Sequence, residues 1–459
     1  MRRGRQSSHE MRPCRGTCQP WAAQGAIITG VRENQNEFFR FPSRRTMTTP
    51  SEAPQALAGL RVVELAGPMS QYCGKMFADL GAEVILVEPP GGARVRAAPP
   101  FIGDRAGPDR SLTFSYFNTS KRAITLDLTK TEGQFLFRRL AQTADLVVQA
   151  EKPGTLAAWG CGYDALAALK ASLVLLSITA FGQTGPYAQY EGEDLIGLAS
   201  GGFLYLGGYP DAPPTGAFRN QAVLGASMYG AVAAMLALTN AELTGEGDHV
   251  DVSMQECMVM AMENAVQFYD LEGTVRKRYA GEQRFAGTGV FECRDGYIYM
   301  MAAGIGANKF WGLSLQWLSD ENVPGVERLQ GAQWTHIEYV RSDEAKRIFA
   351  EVFGPWAKTR TKAELYHEGQ RRHIPLAPIN TPGDILQSSQ LDHRRFFVRV
   401  PHPLCEEPLL MPGAPYKLSR TPWRIRHPAP RLGEHNTEVY GALGLAGADL
   451  EHLAGAGVI

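Results

Sequence analysis

The sequence lacks the features that mark several classes of protein. Its seven cysteines are scattered through 459 residues, and only Cys14 and Cys18 lie close together. This pattern provides neither a disulfide framework nor a paired zinc-binding motif, and it suits a reducing cytoplasm. No apolar run reaches the roughly 18 residues that a membrane helix needs. A net charge of −1 gives no long-range attraction to nucleic acid or to an anionic membrane.

The first 46 residues differ in composition from the rest of the chain. They begin "MRRGRQSSHEMRPCRG", which is rich in arginine and has neither apolar periodicity nor a secretory signal. We predict that 1–46 is a disordered extension, and Met47 is an alternative natural start.

Strands and helices alternate in the following part of the chain. Short β-branched runs are separated by segments with helical periodicity, which predicts a parallel sheet covered by helices. We therefore expect an α/β fold with a large, doubly wound, Rossmann-like domain over 57–222. The predicted strands are 60–66, 82–90, 122–128, 144–150 and 173–182.

A dinucleotide-binding fingerprint is absent from the place where it would be expected. The first strand should lead into G-x-G-x-x-G, but "ELAGPMSQYCG" follows it instead. The sequence therefore argues against a nicotinamide or flavin cofactor, and it offers no cluster of metal ligands.

The second half of the chain has a different organisation. Helical patterns over 223–242 and 252–271 follow a glycine-rich bend, and "RDG" within 289–304 predicts a hairpin. We expect connecting helices and a linker over 223–284. A smaller α+β domain is predicted over 285–400, and 401–459 is expected to return to the large domain.

Several stretches together resemble class III CoA-transferases, a family that includes formyl-CoA transferase, carnitine CoA-transferases and the α-methylacyl-CoA racemases. The stretches occur in family order and include "GKMFADLGAEVILVEPPGG", "FNTSKRAITLDLTKTEG", "SITAFGQTGPYAQYEGEDLIGLASG" and "LTGEGDHVDVSMQE". The resemblance implies acyl-CoA and a carboxylic acid as substrates. It also implies a ring-shaped monomer that interlocks with a second ring as a dimer.

CoA is a long polyanion, so its binding requires backbone N–H groups, helix N-termini or cations. The turn after the first strand lies where ligands of open α/β sheets bind. Lys121 and Arg122 point to opposite faces of a strand, so at most one can face the ligand. The candidate CoA-binding residues are Ala66, Gly67, Pro68, Met69, Lys121, Arg122, Lys152 and Gly154.

The resemblance also implies a catalytic aspartate that attacks the thioester and carries CoA. Counted back from the turn at Thr244, its position falls on Val223, and no acidic residue occurs between 215 and 241. By this alignment the chain lacks the nucleophile. An Asp-bearing paralogue in a heterodimer would supply it; a homodimer is the other assembly.

Glu193 and Asp194 remain the candidate catalytic residues. They begin an apolar helix, and Glu193 replaces the histidine of the racemases. Carboxylates at this position either cap the helix or act on the substrate as a base or an orienting group. We expect a CoA-transferase; the alternatives are a CoA-ester-binding subunit without catalysis and an acyl-CoA isomerase, dehydratase or racemase-like enzyme.

Overall fold

A computed structural model describes residues 54–303 and 308–459. The extension predicted over 1–46 lies outside the described residues.

Six parallel strands form the main sheet, in the order β3-β2-β1-β4-β5-β6. This is the order of doubly wound nucleotide-binding folds, so the Rossmann-like prediction for the sheet is confirmed. The strands are rich in valine, isoleucine and leucine because helices bury both faces of a parallel sheet. Their bounds are β1 Arg61–Leu65, β2 Glu83–Glu88, β3 Arg122–Thr125, β4 Leu146–Gln149, β5 Val174–Thr179 and β6 His249–Ser253.

The sixth strand corrects one sequence prediction. A single helix was expected over 252–271, but the chain first forms β6, which pairs with β5 from Leu175↔His249 to Thr179↔Ser253. Two shorter helices then follow. The alternating residues of "HVDVS" suit a strand, and the open edge of β5 satisfies its backbone groups.

Helices cover both faces of the sheet. On one face, residues of α1 and α7 pack against Val62, Val148 and Ile178. On the other face, α3 and α5 pack with Val63 and Val147. The helix bounds are α1 Gln71–Asp79, α2 Leu112–Phe117, α3 Thr131–Gln142, α4 Thr155–Ala158, α5 Tyr163–Ala167, α6 Asp194–Ser200, α7 Gln221–Thr244, α8 Met254–Met260 and α9 Ala265–Glu272.

Helix α7 is long and apolar enough to pass for a membrane span, yet half of its most apolar window is buried inside the protein. Small residues allow this close packing. A Cβ at Gly230 would lie 2.9 Å from Ile178 Cδ1 of β5. The helix is therefore a core element of the fold. Its opposite side leaves several large apolar residues exposed, among them Met228, Tyr229, Val232 and Leu236.

The second part of the chain forms an antiparallel sheet, order β7-β8-β9, with helices packed beside it. The predicted hairpin at Arg294 and Asp295 is confirmed. Phe291, Phe349 and Phe353 form the centre of its aromatic core. The bounds are β7 Thr288–Cys293, β8 Gly296–Met301, α10 Asn308–Asp320, α11 Ile337–Arg341, α12 Asp343–Ala357, α13 Lys362–Arg371, β9 Leu376–Ile379, α14 Pro382–Leu386 and α15 Ser389–His393.

The C-terminal segment contains the hairpin β10 Phe397–Val400 and β11 Leu409–Pro412, then α16 Asn436–Ala442 and α17 Gly447–Gly455. It packs against the first sheet. Tyr440 Oη donates a 2.6 Å hydrogen bond to Thr125 O, and the Asn436 side chain binds the backbone and the side chain of Thr125. These contacts tie the end of the chain to β3.

Candidate active site

Most of the predicted site residues lie along one edge of the six-stranded sheet. The loops that follow β1, β4 and β5 carry the Ala66–Met69 turn, Lys152 with Gly154, and the segment that leads into α6. The loop after β2 adds Arg94. Because the strands are parallel, all these loops leave the same carboxyl edge, where open α/β sheets bind their ligands.

The Ala66–Met69 turn joins β1 to α1, and some of its backbone N–H groups already donate hydrogen bonds within the protein. Ala66 N–H donates to Val87 O, and Gly67 N–H donates to Ser70 Oγ at 3.0 Å. Pro68 has no N–H. Of the four predicted residues, Met69 is therefore the one whose N–H is open to an anionic ligand. Ser227 of α7 holds this turn through a 2.7 Å hydrogen bond from its Oγ to Met69 O.

Lys152 and Gly154 lie at the same edge, after β4. The Lys152 side chain is 54% exposed and forms an ion pair with Glu191. Gly154 has φ +88° and begins α4, a conformation that favours glycine. Gln149 Oε1 accepts the Glu151 N–H at 2.6 Å and so fixes the start of the turn. Lys152 is thus an accessible cation, held close to the segment that contains Glu193 and Asp194.

Lys121 and Arg122, which the sequence predicted as CoA contacts, lie at the other, amino end of their strand. Lys121 is 0% exposed. Its Nζ lies 2.7 Å from Glu64 Oε2 and donates to Gln71 O and Asn118 Oδ1. Arg122 pairs with Glu83 at 2.7 Å and with Glu438 at 3.2 Å. Both cations therefore bind the protein itself.

The Glu64–Lys121 pair is buried beneath α1. Burial raises the pKa of Glu64 and lowers the pKa of Lys121, and in each case the partner's opposite charge acts against this shift. Gly74 makes room for the pair, since a Cβ there would lie 1.7 Å from Glu64 Oε2. These residues belong to the core.

Asp194 is the first residue of α6, and its carboxylate reaches the N-terminus of α7. Oδ1 accepts hydrogen bonds from Ala222 N–H at 2.7 Å and from Val223 N–H at 3.1 Å. The residue is half-buried. Among the described residues, these two groups are its hydrogen-bond donors and both bind Oδ1, which leaves Oδ2 open to a substrate.

Val223 itself lies in the core of the protein. Its side chain is 7% exposed and belongs to the core cluster that contains Cys73 and Met258. A carboxylate at this position would be placed among apolar side chains, and an unpaired buried charge is strongly unfavourable. The position that the sequence alignment assigned to the nucleophile is therefore core, and its backbone N–H holds the carboxylate of Asp194.

Glu193 is more exposed than Asp194 and caps nothing through its side chain. Its Oε1 lies 3.3 Å from Arg94 Nη2, with the two side chains 81% and 86% exposed. The cap alternative from the sequence thus does not describe Glu193. Asp194 does cap a helix, but the helix is α7 and not its own.

The sequence analysis did not single out Arg94 or Arg219. Arg219 lies immediately before α7, and its Nη1 donates to Pro99 O at 3.2 Å. One signal was available for Arg94, because "GGARVR" contains two arginines directly after β2. No local pattern marks Arg219, whose importance depends on the position of the α7 N-terminus beside Asp194.

Comparison with known proteins assigns the family. The profile of CoA-transferase family III matches residues 57–436. Subunit BbsE of succinyl-CoA:(R)-benzylsuccinate CoA-transferase from Thauera aromatica is 38% identical over 88% of this chain and 98% of its own. The succinate–glutarate CoA-transferase of Agrobacterium fabrum is 30% identical over 86% of this chain and 98% of its own.

A solved structure agrees with these matches. The CAIB/BAIF family protein from Brucella suis is 29% identical and has a TM-score of 0.74, over 85% of this chain and all of the Brucella chain. The chain belongs to CoA-transferase family III. It is a class III CoA-transferase, of the kind that moves CoA between a thioester and a free carboxylic acid.

Proposed function

We propose that Asp194 is the nucleophile of this CoA-transferase. The observation that carries the proposal is the carboxylate held through Oδ1 by two N–H groups of α7, at the carboxyl edge of the sheet. Fixing one oxygen orients the other, and a preoriented nucleophile gains much of its rate from position. Val223 then contributes a backbone donor.

The reaction follows the covalent route that the family implies. Asp194 Oδ2 attacks the thioester carbonyl, the C–S bond breaks, and CoA thiolate leaves a mixed anhydride. The thiolate attacks the Asp194 Cγ, and the first acid departs as its carboxylate. An acceptor carboxylate then attacks Cγ of the resulting aspartyl thioester, the C–S bond breaks, and a second mixed anhydride forms as CoA thiolate is released. The thiolate attacks the acceptor's carbonyl carbon in this anhydride. Acyl-CoA leaves, and the Asp194 carboxylate is regenerated.

The N–H groups of Ala222 and Val223 serve a second purpose in this sequence. When the thiolate or the acceptor attacks Cγ, negative charge develops on Oδ1, which those groups already contact at 2.7 and 3.1 Å. Donors directed at a developing oxyanion typically contribute a factor of about 10²–10³ in rate. Both attacks on the aspartyl carbon would benefit equally.

CoA would lie along the carboxyl edge of the sheet. Met69 N–H, at the start of α1, is the open backbone donor of the first turn, and Lys152 is the exposed cation beside it. Phosphates bind well to such a combination of a helix N-terminus and a nearby lysine. Of the predicted CoA-binding residues, Met69, Lys152 and the turn at Gly154 therefore remain available to bind CoA.

We propose dicarboxylic acids as the substrates. Succinyl-CoA:(R)-benzylsuccinate, succinyl-CoA–D-citramalate and succinate–glutarate CoA-transferases are among the relatives, with identities of 38%, 31% and 30%. Each name pairs one dicarboxylic acid with another. An aromatic residue near Asp194 favours an acceptor with an apolar substituent, since Phe218 is 84% exposed just before α7.

We propose that the chain works in the cytoplasm as one subunit of an interlocked dimer. Large apolar side chains are exposed along one side of α7, and a second subunit would cover them. Relatives named as subunits support a heterodimer with a paralogous chain. They include BbsE and the beta subunit of succinyl-CoA–L-malate CoA-transferase from Chloroflexus aurantiacus.

The test is CoA transfer from succinyl-CoA to glutarate by the purified chain, compared between wild type, Asp194→Asn and Val223→Asp. We expect Asp194→Asn to lower kcat by about four orders of magnitude, as loss of a nucleophile does. Glu344→Gln, at an exposed carboxylate of α12, is the control and should keep the wild-type activity.

A wild-type chain that is inactive alone, but gains activity through Val223→Asp, would show instead that position 223 is the nucleophile site. A chain that binds acyl-CoA and transfers nothing under any of these conditions would support the non-catalytic binding subunit.

A further inference from the structure

A dicarboxylic substrate presents a chemical problem that Asp194 does not solve. One carboxyl group reacts, while the other remains an anion inside the site. A carboxylate removed from water needs a cation or several hydrogen-bond donors. The second carboxylate therefore needs a cation that lies near Asp194 and is not already bound tightly by other residues of the protein.

Two arginines lie on the turn after β2, and they differ sharply. Arg96 is 3% exposed, contacts both oxygens of Glu88 at 2.7 Å and also pairs with Asp109. Within 54–303 and 308–459, the ionic partner of Arg94 is Glu193, at 3.3 Å. An ion pair that exposed typically contributes under about 1 kcal/mol. Arg94 can thus exchange Glu193 for a ligand carboxylate, while Arg96 cannot exchange its partners.

The second cation approaches from α7. Arg219 and Asn220 are consecutive non-glycine residues in the left-handed region, with φ +46° and +47°. Such residues are strained, and they persist where their surroundings fix them. Gln221 fixes this turn, because its Nε2 donates to Phe218 O and Arg219 O at 3.1 and 2.9 Å. The strained turn directs Arg219 towards Pro99.

Both arginines belong to segments that adjoin Asp194. Arg94 contacts Glu193, the residue directly before the nucleophile. Arg219 lies three residues before Ala222, whose N–H binds the carboxylate of Asp194. The segment 94–99 joins them, since it carries Arg94 at one end and the Pro99 carbonyl that accepts from Arg219 at the other.

We propose that Arg94 and Arg219 bind the remote carboxylate of the dicarboxylic substrate and so make the enzyme selective for diacids. The inference rests on the proposed role of Asp194. Glu193 holds Arg94 in position while the site is empty and releases it when the substrate carboxylate arrives. Phe218, beside Arg219, provides an apolar surface for a substituent on the acid.

The test compares glutarate with pentanoate, which has the same chain and one carboxylate. Acceptor kcat/KM is measured for wild type, Arg94→Gln, Arg219→Gln and Arg94→Lys with one acyl-CoA donor. Each Gln variant should lose about 10-fold to 100-fold for glutarate, through KM, which is the usual effect of losing a charge-assisted hydrogen bond. The kcat/KM for pentanoate should change by less than about twofold. Arg94→Lys should recover part of the kcat/KM for glutarate that Arg94→Gln loses.

Arg347→Gln is the matched control, because Arg347 forms an exposed ion pair with Glu351 on α12. This substitution should leave kcat/KM unchanged for both glutarate and pentanoate. Equal losses for glutarate and pentanoate in the Arg94 and Arg219 variants would overturn the inference, as would no loss for either acid.

Calorimetric titration with succinate and with butyrate provides a readout that needs no turnover. Wild type should bind succinate more tightly than butyrate, and both Gln variants should lose that preference. Retention of full CoA transfer by Asp194→Asn would refute the role of Asp194 without affecting this result. Equal binding of the two acids by wild type would refute the role of the arginines.

Discussion

The charged residues at the carboxyl edge of the sheet and those beneath α1 are of the same types but do different work. Lys152 and Arg94 at the edge are exposed, and in the described part of the chain each pairs with one carboxylate. Lys121 beneath α1 and Lys75 of α1 are buried, and each is hydrogen-bonded to several groups of the protein. The comparison teaches that a cation next to a ligand-binding motif becomes a ligand contact only where the fold leaves it accessible.

The buried group is arranged as two adjacent pairs. Lys121 pairs with Glu64 at 2.7 Å, and Lys75 pairs with Asp79 at 2.8 Å while also donating to Thr119. Removing charges from water is costly, and the partners offset that cost only with good geometry. Burial accordingly lowers the pKa of Lys75 as well as that of Lys121. Lys121 with Glu64, and Lys75 with Thr119, connect α1 to the residues packed beneath it.

The largest effect expected from this comparison is on stability. Lys121→Met should lower the free energy of unfolding by about 3–5 kcal/mol, because it leaves Glu64 charged and unpaired in the core. Urea denaturation followed by circular dichroism measures this change. Lys121→Met with Glu64→Leu should recover most of the loss. A single variant within about 1 kcal/mol of wild type would mean that the pair is not buried as described.

Gly74 should be the next most sensitive position. An added Cβ would lie 1.7 Å from Glu64 Oε2, so Gly74→Ala must displace the buried pair. We expect a loss of about 1–3 kcal/mol, typical of overpacking, although alanine is the better helix former. Gly441→Ala in α16, where a Cβ would meet open space, is the control. Stabilisation by both substitutions would contradict the account.

At the carboxyl edge the effects should appear in binding rather than in stability. Lys152→Gln removes an exposed cation, so unfolding should shift by no more than about 0.5 kcal/mol. KM for acyl-CoA should rise several-fold at low ionic strength, and the difference should shrink as salt is added. Steady-state kinetics at two salt concentrations measures both. An unchanged KM would remove Lys152 from the CoA site.

The smallest expected effect concerns acid stability around the antiparallel sheet. Hydrogen bonds from Lys362 and Thr381 lower the pKa of Asp384 to about 2, and those from Arg371 and Arg372 lower the pKa of Glu368 to about 2. Folding therefore favours the ionised forms. Their contribution is complete above the ordinary pKa values near 4 and is lost as pH falls towards 2.

Both carboxylates are only partly buried, with side chains 26% (Glu368) and 36% (Asp384) exposed, so the change should be small. Thermal unfolding between pH 5 and about pH 2 should show stability rising with pH, and Glu368→Gln should reduce that slope. Glu344→Gln, at another exposed carboxylate with no resolved ion pair in the described region, is the control. A steeper slope in Glu368→Gln would contradict the assignment.

The sequence was sufficient to predict the doubly wound sheet because long apolar and β-branched runs alternate with helical periodicity. β6 was missed, since "HVDVS" is short and its pairing depends on β5. The sequence also could not show that Lys121 is buried whereas Lys152 is exposed. Both stand near glycine-rich or polar turns, and only the packing of α1 on the sheet buries one of them.

The sequence predicted which segment contains the candidate catalytic residues, but not which residues they contact. The pattern placed Glu193 and Asp194 at a helix start, which is correct for α6. It could not show that Asp194 reaches across to α7, because 28 residues separate it from Ala222. For the same reason, the sequence assigned the nucleophile position to Val223 of α7, although the carboxylate bound at the start of α7 belongs to Asp194 of α6.

Trapping the covalent intermediate tests the central claim most directly. The purified protein is incubated with succinyl-CoA, treated with hydroxylamine, digested and analysed by peptide mass spectrometry. We predict a hydroxamate on Asp194, in wild type and in Glu193→Gln, and none in Asp194→Asn. A hydroxamate on any other carboxylate of this chain, or on a partner subunit alone, would contradict the account.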